Sequence, residues 1–194
     1  MKLKILLASI LIMATGCSSI AGLVNDKTKN AQPVIAEAKE KINQDAKKIE
    51  PKKDEQVNIL LYFGDSESAM LKEEKRKVRL KEVLEDSPKT IINELIKGPA
   101  TSNLFSAIPA GTKLLSVKKE GDTVIVDFSK EFRDNHNGGS AGEALTIFAV
   151  VNSLTEIKDI EKVQFMIEGK IEKEFKGHYE FDKPFEREET IIVK

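Results

Sequence analysis

Beyond an apolar stretch at residues 5–14, apolar positions stay scattered up to residue 55 and then gather into short runs. The run at residues 57–63, closed by Gly64 and Asp65, predicts a β-strand. Residues 69–71 and 75–80 predict short further strands separated by charged residues, although the Lys/Glu run also suits a helix. Asp86 or Ser87 is placed to cap the next helix, with Pro88 in its first turn. Ile91, Ile92, Leu95 and Ile96 give that helix its buried side, and Gly98-Pro99 stops it. Residues 113–118 and 123–128 flank Glu120-Gly121-Asp122 and predict a hairpin. A polar loop, 129–139, then leads into residues 137–157, where Ala141, Ala144, Leu145, Phe148, Ala149, Asn152, Leu154 and Ile157 recur at helical spacing. This is the best-buried helix expected. Ser140 and Glu143 are spaced as a capping box at its start, each side chain satisfying an orphan backbone N–H. Residues 163–167 form the last clear strand, closed by Gly169, and 170–194 read as loop and edge. The order βαββαβ predicts an α+β fold, a small mixed sheet with two helices packed on one face.

The N-terminal third follows different rules. Lys2 and Lys4 precede an apolar run too short to span a bilayer, which is the pattern of a signal peptide over residues 1–16. The run ends in Ala14-Thr15-Gly16-Cys17, which resembles a bacterial lipobox, so Cys17 is the expected lipidation site. Acyl chains add about 0.8 kcal/mol per buried methylene, enough for a multiply acylated cysteine to hold the chain on a membrane. Residues 17–55 have the composition of a polar tether. Within it Ile35, Ile42 and Ile49 lie seven apart, as in a short amphipathic helix, but two heptads are too few to separate that from nascent helix in a disordered tether. As coil, the tether reaches about 35 Å. The folded domain is expected over residues 56–190.

Charge and composition narrow the chemistry. Of 194 residues 31 are basic and 32 acidic; without residues 1–16 the balance is 29 to 32, a net −3. No basic excess points to nucleic acid. A lone cysteine excludes an intrachain disulfide, and two histidines without ligand spacing suggest no metal site. No cofactor motif is present. Gly138 to Gly142 match G-x-S-x-G, and Asp159 and His178 follow in the order of a serine triad. A nucleophile elbow needs a strand running straight into the serine, whereas 11 residues separate Phe128 from Ser140. A serine hydrolase acting through Ser140 is therefore the secondary reading, beside a ligand-binding protein with a small pocket at the helix start. Asp127 and Arg133 are candidates for a polar patch near that start, with Ser140, Glu143 and Asn152. Asn152 interrupts the apolar face and, if buried, needs backbone partners in an adjacent loop.

Several stretches, in order, resemble the GerMN domain of sporulation and spore germination proteins. They are residues 93–99 ending in Lys97-Gly98-Pro99, Ile108-Pro109-Ala110-Gly111-Thr112, Val126-Asp127-Phe128-Ser129 with Phe132, and Gly139-Ser140 with Glu143. Residues 151–156, 163–169, Gly177-His178 and Pro184-Phe185-Glu186-Arg187 complete the resemblance, which covers about residues 57–190 as one copy. The resemblance implies a fold similar to a ring-building motif and a lipid- or membrane-anchored protein outside the cytoplasmic membrane. It implies envelope or sporulation proteins as partners and carries no catalytic residues. Peptidoglycan and a second copy of the chain complete the set of expected partners, with the membrane reached through Cys17. The expected location is the outer face of the cytoplasmic membrane.

Overall fold

A computed structural model describes residues 54–193. The expected signal segment, Cys17, the Ile35/Ile42/Ile49 heptads and all but the end of the tether lie outside the described residues. Strand β1 (Gln56–Asp65) turns back into β2 (Leu71–Arg79), and α1 (Leu80–Ile96) follows directly. After the short β3 (Leu104–Phe105) come β4 (Leu114–Glu120) and β5 (Thr123–Phe128), then the one-turn helix α2 (Glu131–Asp134). Helix α3 (Ser140–Leu154), β6 (Lys162–Ile167), β7 (Phe185–Glu186) and a 3-10 turn (Glu189–Ile191) complete the chain. The α+β architecture and two main helices agree with the sequence pattern. The strands are shared between two sheets, an antiparallel β2-β1-β3 and a mixed β4-β5-β6-β7. Strands β5 and β6 are parallel, which requires a crossover between them, and α3 supplies it.

Three local expectations are corrected. The two short strands after β1 are one, because β2 pairs with β1 continuously from Gln56↔Arg79 to Gly64↔Leu71. Helix α1 begins at Leu80, ahead of the expected cap, and is kinked at Asp86 (φ −161°, ψ 88°). Asp86 still caps the second segment, its Oδ1 accepting from the Lys89 N–H at 3.0 Å. Helix α3 is not one-faced. Eleven of its 15 residues are buried, while Ala141 is exposed. A helix buried nearly all round belongs in the interior, and this one lies against β1, β6, α1 and the 3-10 turn.

The main core joins Leu61 and Phe63 of β1, Ile91, Ile92 and Leu95 of α1, Val150 and Leu154 of α3, and Phe165 of β6. Tyr62, alternate to these on β1, belongs with Leu71, Leu145 and Ala149 to a second cluster. Seven of the nine phenylalanines form one aromatic group. Phe128 stacks on Phe132 at 4.3 Å and Phe165 on Phe181 at 4.9 Å. Phe175 and Phe181 are buried, so residues 170–184 form a lid on the core rather than plain loop. The chain beyond it straps the sheets together: β7 pairs with β6, and the Val193 N–H donates to Leu71 O of β2 at 2.8 Å. Among the described residues no helix is long and apolar enough to cross a membrane.

Candidate functional site

Gly138 (φ +77°) and Gly139 (φ +87°) let the polar loop turn into α3, in a region that side-chain-bearing residues rarely adopt. Gly139 takes the cap position and Ser140 is the first helical residue, so the expected capping box does not form. Ser140 is exposed. Glu143 is wholly buried and turns away from the helix start toward the lid. Its Oε1 lies 2.7 Å from His178 Nδ1, and its Oε2 accepts the His178 backbone N–H at 3.3 Å. His178 is thus committed to Glu143, and Asp159 sits in the turn beyond α3 at φ +65°.

The other expected patch residues are spent elsewhere. Asp127 Oδ1 accepts from the Gly169 N–H at 3.0 Å. Arg133 pairs with Glu172 at 3.0 Å and with Asp134 at 3.3 Å, not with Asp127. Asn152 is buried and makes a two-point contact with Glu188, donating Nδ2 to its carbonyl at 2.9 Å and accepting its N–H at 3.0 Å. The five residues thus serve four separate junctions or open surface, not one patch.

Two polar clusters have no counterpart in sequence reasoning. Tyr62 donates its hydroxyl to Glu156 at 2.7 Å and accepts from Arg187 at 2.8 Å. Arg187 also pairs with Glu156 at 2.9 Å and with Glu189, and donates to Asn152 O at 2.9 Å. Burial, then the bond to Glu156, pushes the Tyr62 phenol up to about 12 against the opposing pull of Arg187. Burial works against the Arg187 charge, but bonds to Glu189 and Tyr62 more than offset it and hold its pKa above the ordinary value. In the second cluster Arg76 pairs with Glu74 and Glu94 and donates to Gly98 O at 2.9 Å. Burial raises the Glu74 carboxyl, yet the bonds from Arg76 and from the Ala100 and Thr101 N–H groups bring it below the ordinary 4.5. Apart from Arg76–Glu74 and Arg187–Glu189, each two residues apart, the partners in these clusters are spaced 18 to 125 residues apart, so no local motif could reveal them.

One groove of 580 Å³ opens beside the start of α3, within the size range of small-molecule sites. Its walls are the end of α1, the loop from Phe105 to Thr112, the loop from Asn135 to Gly138, and Gly142, Leu145 and Thr146 of α3. His136 forms part of the floor. Its Nδ1 accepts the Gly138 N–H at 2.8 Å and its Nε2 lies 3.1 Å from Thr146 Oγ1, which itself donates to Ala107 O. That chain of bonds assigns His136 the neutral Nε2–H tautomer. Among the described residues no group of three or more His, Cys, Asp or Glu is arranged to hold a metal ion.

The family described as "Germane: Sporulation and spore germination" matches residues 60–173. Among solved structures, the tandem GerMN domains of the sporulation protein GerM from Bacillus subtilis match with a TM-score of 0.60 at 21% identity. The match covers 71% of this chain and 48% of that one, so the chain spans about half its length. A candidate lipoprotein from Clostridium perfringens matches at 27% identity over 68% of this chain and 87% of that one, with a TM-score of 0.49. The first GerMN domain of the same Bacillus subtilis protein matches at 26% identity over 61% and 88%, also at 0.49. No curated protein matches the chain.

Proposed function

Because the chain belongs to the Germane family of sporulation and spore germination proteins, we propose that it is a lipid-anchored, non-enzymatic protein of the bacterial envelope. Cys17 carries the lipid after removal of residues 1–16, residues 17–55 act as the tether, and residues 56–190 form a single contact domain. The domain stands on the outer face of the cytoplasmic membrane and binds envelope or sporulation proteins, or cell wall. The observation that carries this reading is where the polar motif residues spend their hydrogen bonds. Lys97-Gly98 is gripped by the Glu94–Arg76 cluster, Glu143 by His178, and Asn152 with Glu156 by Arg187 and Glu188. These bonds join elements distant in sequence, so the motifs build a rigid scaffold for contact.

The serine hydrolase reading loses support from the same geometry. Ser140 opens a helix instead of standing on a strand-to-helix elbow. The ligand-binding reading gains support from the groove beside α3. Two measurements test the main proposal. An alkyne fatty acid fed to cells should label the wild-type protein and not Cys17→Ser, and the unlabelled variant should leave the membrane fraction. Crosslinking in the native membrane should capture envelope partners with the tether intact and fewer with 18–55 deleted. Equal membrane retention of Cys17→Ser would remove the lipid anchor, and labelling of Ser140 by a serine-reactive probe would reinstate the hydrolase.

A further inference from the structure

We propose that the groove beside the start of α3 binds a neutral saccharide bearing amide groups. Three features of its wall point to that chemistry. The first is an aromatic platform. Phe105 is 41% exposed yet fixed, because its ring lies over Gly64, where an added Cβ would come within 2.2 Å of the ring. A ring held in place and open to solvent is a surface on which the C–H face of a pyranose packs without ordering cost.

The second is charge. Lys97 is the one formally charged residue of the lining, and its ammonium is paired with Glu94. His136 is held neutral by the bonds to Gly138 and Thr146. An anionic ligand thus finds no uncommitted cation in the wall, and a cationic one finds no carboxylate. The third is the placement of amides and small apolar surfaces. Asn135 donates Nδ2 to Ala110 O at 2.7 Å, which leaves its Oδ1 to accept from a ligand. Asn137 is exposed at the rim. Beside them lie Ala107, Ile108 and Leu145, apolar surface suited to the methyl of an acetamido group.

This deepens the wall-contact half of the proposed function and rests on it only for the source of the sugar. Cys17→Ser tests the anchor and leaves the groove intact, so the two ideas fail separately. The test titrates the full chain in detergent micelles with triacetylchitotriose, an acetamido trisaccharide, and with cellotriose, its counterpart without amides. The expected result is saturable binding of triacetylchitotriose with a Kd of about 1 mM or tighter. Phe105→Ala should weaken it at least about tenfold. Because Phe105→Ala also uncovers Gly64, a second variant, Ala110→Trp, narrows the groove from an exposed turn and should abolish binding with unchanged thermal unfolding. Absence of binding at about 10 mM, equal binding of cellotriose, or unchanged affinity in a folded Ala110→Trp variant would each overturn the proposal.

Discussion

The start of α3 offers two incompatible accounts, and two substitutions separate them. If Ser140 and Glu143 formed a capping box, Ser140→Ala would cost about 1 kcal/mol and His178→Ala almost nothing. In the structure Ser140 is exposed and makes no cap bond, so Ser140→Ala should fall within about 0.5 kcal/mol of wild type. Glu143 is the opposite case, a wholly buried carboxylate whose partners are the ring and backbone of His178. Removing the ring strips Oε1 of its 2.7 Å bond and leaves the backbone contact at 3.3 Å. Stranding a fully buried charge costs about 3–5 kcal/mol. The His178 side chain is half exposed, so water can enter the space it leaves and lowers the cost to about 2–3 kcal/mol. Replacing Glu143 by Leu in the His178→Ala background removes the stranded carboxylate. The double variant should therefore be less destabilised than the sum of the singles. Urea unfolding followed by far-UV circular dichroism, with unchanged m-values, measures wild type and the four variants, the Glu143→Leu single among them. An unshifted midpoint for His178→Ala, or strict additivity of the pair, would refute the reasoning.

Gly64→Ala drives a Cβ into the Phe105 ring and should cost about 2 kcal/mol in urea unfolding, with loss of the Gly64↔Phe105 pairing. The Tyr62 phenol, raised to about 12, favours the protonated folded state. Its contribution to stability is complete below the ordinary value of 10.0 and is lost as pH rises toward 12. Tyr62→Phe should flatten the fall in thermal stability across that window, and an unchanged slope would count against the cluster. Glu74 has the opposite sign. Its lowered carboxyl stabilises the fold above the ordinary 4.5, and that stability disappears as pH falls below it. Glu74→Gln should therefore be less stable than wild type at neutral pH, the gap closing in acid denaturation curves.

Elements held by local rules were legible in the sequence. The β4–β5 hairpin followed from two apolar runs about Gly121, whose φ of +64° is what such a turn requires. The burial of α3 followed from its apolar density. Strand β2 was obscured because its inward-facing Glu74 and Arg76 are charged, and a buried ion pair breaks the apolar–polar alternation that marks a strand. The lid was obscured for a related reason. Phe175 and Phe181 stand alone among charged residues with neither helical nor strand period, yet both are buried by stacking on partners elsewhere in the chain. The capping box failed through tertiary override, since Glu143 finds His178, 35 residues away, in place of the backbone next to it.

The same distance dependence bears on what the family motifs are for. Asp127 reaches Gly169, Glu168 takes the Lys130 N–H, and Arg187 binds the end of α3. In each case one motif supplies a side chain and another supplies the backbone or the counter-charge. A backbone partner is kept whatever side chain its residue carries, so each of these bonds rests on the one side chain that makes it. The residues that hold the fold are then distinct from those that shape its surface. The groove separates them along a visible line: His136, Thr146 and Gly142 are locked into its floor, whereas Phe105, Ala110 and Asn137 are exposed around it. Substitution of the exposed residues can reshape the rim of the groove without loosening α3, which is the division of labour expected when surface and scaffold draw on different residues.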